Sequence, residues 1–360
     1  MTNSAAAAIR LLDDVRAMDR IDRSGMLDLL ARFPDQILQA DQLGEAFTFD
    51  ATAPLRNVLI TGLGGSAIGG EIVQALTAGH AAVPVLVNRD YQLPAFVGKE
   101  TLLVACSYSG NTEETLAAYQ SAACSGAQRV AITSGGKLRD LARRDGAAVL
   151  EIPGGNPPRT AIAYCVFPLL WILHRTGICQ MQSETARVAA AGAREMQQKC
   201  DPGVPAPDNP AKHIALQLQG KLAVIYAPAA PLGAVGTRWK GQLSENAKSL
   251  ALQNVLPEMN HNEIVGWKHP EWIRNAFVIC LRDKEEHPQV GKRFDFLEER
   301  LQRTGVTVEQ LWGRGDLLAS RIFSLITLGD YASVYLAFLY QEDPTPVEVI
   351  EELKQKLKGA

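Results

Sequence analysis

Three observations predict two α/β halves, each a parallel sheet flanked by helices, for this 360-residue chain. Short apolar runs of strand type alternate with stretches at helical spacing, through turns rich in Gly and Ser, which marks βαβ units and parallel sheets. The alternation occurs twice. A helical connection ending in a Pro/Asp-rich stretch at 201–210 separates the two passes. The length prior of about two domains agrees. The predicted organisation is N-terminal helices (1–34), a first α/β domain (35–152), a connection and linker (153–209), a second α/β domain (210–340) and a C-terminal helix (341–360).

Ile9, Leu11, Leu12, Val15 and Met18, then Met26, Leu27, Leu29, Leu30 and Phe33, recur at helical spacing, with a break near Asp22–Gly25. Strands are expected at Asn57–Thr61, Val83–Asn88, 101–106, Arg129–Thr133 and Ala147–Ile152. Helices are expected through Leu76, over 112–123 and through Arg143. Long helices at 160–176 and about 183–199 follow. The second pass gives a strand at Lys221–Tyr226, a helix over 231–250 and a strand at Ala276–Leu281. A helix over 288–303, a strand at Val306–Leu311 and a helix over 316–340 complete it. A terminal amphipathic helix begins after Asp343-Pro-Thr-Pro346.

A net charge of −3 argues against nucleic acid or an anionic membrane as the main partner. The alanines at 5–8 soon meet Arg10, Asp13 and Asp14, so no secretory signal is expected. The run Ala161–Leu173 contains Pro168 and is too short to span a bilayer. Six cysteines without a CxxC pair predict free thiols in a reducing cytoplasm.

The chemistry concentrates in a few places. After the 101–105 strand comes Cys106-Ser-Tyr-Ser-Gly-Asn-Thr112-Glu-Glu, leading into a helix. Helix N-termini bind anions, and the Ser107, Ser109 and Thr112 hydroxyls extend such a site toward a phosphate monoester; an ordinary Ser-rich cap gives the same local pattern. Gly62-x-Gly64-x-x-Ala67 fits a dinucleotide fingerprint, with Asp90 as its ribose ligand. The same turn can instead bring Gly65 and Ser66 to a sugar. Pro158-Arg159 puts a permanent cation at a helix mouth. Glu245 sits at the border of a helix's buried face, among Leu243, Ala247, Leu250 and Ala251, as a candidate base. His261 lies in a polar loop. No further His or Cys stands near it at ligand spacing, so no metal is expected.

Together, Gly-Leu-Gly-Gly-Ser66, Ser107-Tyr-Ser109-Gly-Asn-Thr112, Pro158-Arg159, Ser244-Glu245-Asn-Ala-Lys and Asn260-His261-Asn-Glu resemble the bifunctional phosphoglucose/phosphomannose isomerases. That family belongs to the sugar-isomerase (SIS) superfamily, and the likeness runs in order from about residue 57 to the end. The resemblance implies two SIS domains and a cytoplasmic homodimer with no cofactor. It also implies a sugar 6-phosphate substrate, isomerised between glucose or mannose 6-phosphate and fructose 6-phosphate. Ser107, Ser109 and Thr112 would hold the phosphate, with Gly65 and Ser66 near the sugar. Glu245 would be the base and Arg159 would stabilise the enediolate. His261, from the neighbouring subunit, would assist ring opening. Lys354 is the candidate for the family's C-terminal lysine, with Lys356 and Lys358 close by. A sugar-phosphate sensor on the same fold, or an isomerase of another sugar phosphate, stands as the alternative.

Overall fold

The computed structural model describes residues 3–51, 54–182 and 184–358. It opens with helices α1 (Asn3–Asp13), α2 (Val15–Ile21), α3 (Met26–Ala31) and α4 (Phe33–Ala46). Asp22 makes the expected break. Its carboxylate accepts from Met26 N and Leu27 N, each at 2.8 Å, satisfying two of the donors a helix start leaves unpaired.

The first sheet follows as β1 (Asn57–Thr61), α5 (Gly65–Thr77), β2 (Val85–Asn88), β3 (Thr101–Cys106), α6 (Glu113–Ser125), β4 (Gln128–Thr133), α7 (Gly136–Arg144) and β5 (Ala148–Glu151). Its order is β2-β1-β3-β4-β5, with every pairing parallel. Ile60 of β1 registers against Val87 on one side and Val104 on the other. All six residues of β3 are buried, as in a central strand covered on both faces. The strand order reverses between β1 and β3, where ligands of open α/β sheets bind beyond the strands' carboxyl ends. The Gly62–Gly64 and Ser107–Thr112 loops leave from those two ends.

A 3-10 turn at Pro158–Thr160 leads to α8 (Ala163–Arg175), α9 (Thr185–Cys200) and α10 (Pro210–Leu218). The stretch expected as a linker is packed. Asn209 caps α10 by accepting from Ala211 N and Lys212 N at 3.0 Å each. The wholly buried Lys212 donates to the carbonyls of Pro202 at 2.9 Å and Val204 at 2.7 Å.

The second sheet comprises β6 (Leu222–Pro228), α11 (Gly233–Ala247), β7 (Ala251–Leu256), α12 (Pro270–Ile273), β8 (Ala276–Arg282), α13 (Pro288–Gln302) and β9 (Thr307–Trp312). Then come α14 (Leu318–Leu339) and α15 (Glu348–Lys358). The sheet is parallel in the order β7-β6-β8-β9. Here the expected helix over 231–250 is corrected. It stops at Ala247, Lys248 turns the chain with a left-handed φ of 53°, and 251–256 pairs with β6 from Ala223 to Pro228. Leu250, read as part of the helix's apolar face, is 73% exposed.

The core centres on α14, buried at every residue from Ala319 to Leu339 and packed against α9, α10 and α11. Among the described residues it is the one helix long and apolar enough to cross a membrane, yet its apolar window is wholly buried. Close contact with α11 depends on Gly329. A Cβ there would lie 2.4 Å from the Trp239 ring, whose Nε1 donates to the Leu325 carbonyl at 2.9 Å. On its other side α11 packs against α5, which joins the two halves.

Candidate active site

Two helix starts converge on the loop after β3. Thr112 is the N-cap of α6, and the hydroxyls of Ser107 and Thr112 lie 2.8 Å apart and share one hydrogen bond. The Ser109 hydroxyl accepts from Asn111 N at 3.3 Å. Leading donors of α7 are taken up by this loop: Lys137 N by Asn111 Oδ1 at 3.2 Å and Leu138 N by the Gly110 carbonyl at 2.9 Å. The first N–H groups of α6, which a helix cannot pair internally, face the same loop. The three hydroxyls therefore share one turn, set at the starts of two helices.

Gly110 makes that turn possible. Its φ is +67°, and a Cβ on it would sit 1.8 Å from the Gly135 carbonyl oxygen. Gly110→Ala is expected to cost at least about 1–2 kcal/mol from the left-handed backbone alone, read by denaturant unfolding. Phosphate affinity at the loop, read by calorimetry, is expected to fall with it.

Arg159 is the centre of the second group. It is 5% exposed, and burying such a charge is costly unless its donors are matched. Nε donates to Asn246 Oδ1 at 2.7 Å. Nη2 donates to the carbonyls of Pro344 and Thr345, both at 2.8 Å. Nη1 lies 3.4 Å from Glu245 Oε2. Burial pushes the Arg159 pKa down, and the Glu245 carboxylate opposes that; the guanidinium stays charged. Its backbone is pinned too, because Arg238 Nη2 donates to the Arg159 carbonyl at 2.9 Å.

Arg238 is itself held by Asp330 through bonds of 3.0 and 2.6 Å, and Gln242 adds a third donor to that carboxylate at 2.9 Å. Asn246 donates onward to Ser333 Oγ at 2.9 Å. Thus α11 and α14 supply a buried polar frame around Arg159. One sign of this frame is local: Asp330 is the one carboxylate within the apolar run of α14.

Gly65 at the start of α5 comes close to this group. A Cβ there would be 3.4 Å from the Pro158 carbonyl and 4.0 Å from Arg159 Cα. The buried thiol of Cys106 and Ser66 are polar neighbours of the buried Cys165 thiol, which they hold below its ordinary pKa. Glu245 keeps about a third of its side chain exposed and opens on a cavity of about 990 Å³. Its walls include Arg20, Arg23, Lys248 and the tail segments Gln341–Asp343 and Pro346–Ile350.

The structure thus assembles Gly65, Arg159 and Glu245 in one place, and Ser107, Ser109 and Thr112 in one loop. Ser66 follows Gly65 at the start of α5, while neither His261 nor Lys354 contacts Glu245. His261 is exposed in the short helix after β7. Lys354, on α15, which is exposed all round, pairs with Glu351 at 2.7 Å. Among the described residues no group of three or more His, Cys, Asp or Glu is placed to hold a metal ion.

Two parallel sheets joined through packed helices, with a hydroxyl-lined loop at the first sheet's switch point, define an SIS-type α/β protein. A solved structure of a hypothetical protein from Thermus thermophilus shares the fold with a TM-score of 0.73 at 16% identity, covering 99% of this chain and 95% of that one. Residues 207–357 match the model of the family described as bacterial phospho-glucose isomerase C-terminal SIS domain. A Caldicellulosiruptor bescii protein named as a bifunctional phosphoglucose/phosphomannose isomerase is 42% identical over 92% of this chain and 98% of its own. An Aquifex aeolicus protein of the same name is 37% identical over 85% and 91%. The chain belongs to the bifunctional phosphoglucose/phosphomannose isomerase family.

Proposed function

We propose that this protein interconverts glucose 6-phosphate and mannose 6-phosphate with fructose 6-phosphate by proton transfer through an enediolate. The observation that carries this reading is the approach of a buried guanidinium, Arg159, to a partly exposed carboxylate, Glu245, at 3.4 Å. Moving a proton between C2 and C1 of a sugar needs a positioned base, and Glu245 opens on a cavity from which it can act. The enediolate formed carries negative charge on oxygen, and a fixed cation aimed there lowers the barrier. Arg159 fits that role because its other donors are already matched and its position is set.

Ser107, Ser109 and Thr112 bind the 6-phosphate in this reading, with Gly65 and Ser66 against the sugar. The phosphate contributes binding energy remote from the reacting carbons, which serves to orient them. His261 assists ring opening from the partner of a homodimer; its exposure on the single chain supports a role across an interface. Lys354 joins the site from α15. The two sheets fall within SIS domains spanning 35–152 and 210–340. A cytoplasmic setting is supported by six cysteines that are all free.

The test is fructose 6-phosphate consumption by the purified protein in EDTA, with glucose and mannose 6-phosphates quantified separately. Both products at an undiminished rate are expected. Glucose 6-phosphate alone would remove the mannose activity, and activity lost in EDTA but restored by a divalent cation would overturn the metal-free step. Binding without turnover would favour a sugar-phosphate sensor.

A further inference from the structure

We infer that Lys248 is a positioning residue for the Arg159–Glu245 pair, acting by clamping the segment Asp343–Thr345 onto it; the inference rests on the isomerase reading above. Lys248 occupies the position after α11 where the backbone turns left-handed, a place that suits Gly or Asn and costs a lysine strain. What the lysine adds there is its ammonium. Nζ carries three protons and finds four carbonyl oxygens: Glu245 and Asn246 at 3.1 Å, Asp343 at 2.8 Å and Pro344 at 3.2 Å. Two of these belong to the last turn of α11, the turn that bears the base. The other two belong to the segment after α14.

The Pro344 carbonyl joins the two cations. It accepts from Lys248 Nζ and also from Arg159 Nη2. One oxygen thus ties the lysine, the tail and the catalytic guanidinium together. Burial first, and then the nearby Arg159 charge, holds the Lys248 pKa below its ordinary value; two cations tolerate this proximity because carbonyl dipoles lie between them. Thr345, whose carbonyl is the second acceptor for Nη2, follows directly in the chain. Without the ammonium, Asp343 and Pro344 lose their tether to α11. Arg159 Nη2 is then matched by a segment no longer fixed relative to Glu245.

The consequence belongs to the transition state. A guanidinium displaced by a fraction of an ångström still sits in the site but no longer meets the developing oxyanion squarely. Misplacement of about 1 Å can cost about a hundredfold in rate. The phosphate loop, on β3 and α6, is untouched.

The experiment compares the parent with Lys248→Asn and Lys248→Met. Steady-state isomerisation, melting temperature and affinity for a five-carbon aldonate phosphate are measured; the carboxylate of that probe mimics the charged enediolate. Asparagine accepts the left-handed backbone, so Lys248→Asn removes the ammonium without adding strain, whereas Lys248→Met keeps the stem. In both variants kcat is expected to fall by about ten- to a hundredfold, with KM for fructose 6-phosphate near the parent's. Aldonate affinity should fall in step with kcat, and Lys248→Asn should melt at or above the parent. The parent's kcat in Lys248→Asn overturns the proposal, as does a kcat loss confined to Lys248→Met and following its melting temperature. A parent that binds fructose 6-phosphate without turning it over overturns the isomerase reading and this inference with it. A parent that turns over beside an equally active Lys248→Asn overturns this inference alone.

Discussion

Glu245→Gln is expected to lower turnover by about 10²–10⁴-fold, the usual contribution of a general base, while fructose 6-phosphate still binds. Glutamine keeps the size and shape of the side chain and loses only its ability to take a proton. The site around it should survive the change. Arg159 retains Asn246 Oδ1 and the Pro344 and Thr345 carbonyls as acceptors, so the guanidinium keeps its place when the carboxylate becomes an amide. The Ser107–Thr112 loop lies on other elements and is unaffected. Calorimetry for binding and a coupled assay for turnover give the two readouts. Turnover within tenfold of the parent would remove Glu245 from the role of base. Loss of binding in parallel with turnover would make it a structural residue.

Asp330→Ala carries the largest expected effect on stability, about 3–5 kcal/mol, the penalty for leaving one member of a buried ion pair uncompensated. Arg238 is 2% exposed and Asp330 likewise, so water does not reach the orphaned guanidinium without opening the α11–α14 contact. Gln242 Nε2 loses its acceptor as well. The change is read by urea unfolding of the parent and variant.

Replacing both partners by apolar residues, Arg238→Met with Asp330→Leu, separates the roles. Stability should largely return, since apolar replacement of a buried pair is often neutral or favourable. Activity should not return, because the Arg159 carbonyl has lost the donor at 2.9 Å. A single Asp330→Ala variant as stable as the parent would show that the pair contributes nothing to the fold. A fully active double variant would show that the pinned carbonyl is irrelevant to catalysis.

The residues behind these two expected results differ in how visible they are in the sequence. Arg159 and the Ser107–Thr112 loop stand out because each is a reactive group next to a turn signal, and Glu245 because it is a carboxylate at the border of a helix's apolar face. The same holds for the first sheet: Asn57–Thr61 and 101–106 are short apolar runs bounded by Gly or Ser, and both strands occupy those spans. What stays hidden depends on distance along the chain. Arg238 meets Asp330 across 92 residues, and Arg159 meets Asn246 across 87. No local pattern encodes such pairings.

Two elements escape for local reasons instead. Strand β7 follows α11 with a lysine, where a glycine would announce the helix end, so the apolar residues at 250–251 read as more helix. Helix α10 is masked by the Pro- and Asp-rich run before it. Yet Asn209-Pro210 is the cap and first-turn proline of a helix, and its composition merely resembles a linker. His261 and Lys354 differ again: the resemblance gives them roles, while the single chain leaves both at its surface.

The carbonyls that receive Arg159 come 185 and 186 residues later in the chain. At synthesis rates of about 5–20 residues per second, roughly 10–40 s separate the emergence of the arginine from that of its acceptors. During that interval the strands of the first sheet and the Ser107–Thr112 loop are already in the emerged chain. The cation lacks these acceptors, and it remains hydrated until the tail arrives. A nascent chain therefore holds the Ser107–Thr112 loop well before it can seat Arg159, and the Arg159–Glu245 pair takes its place only in the finished molecule.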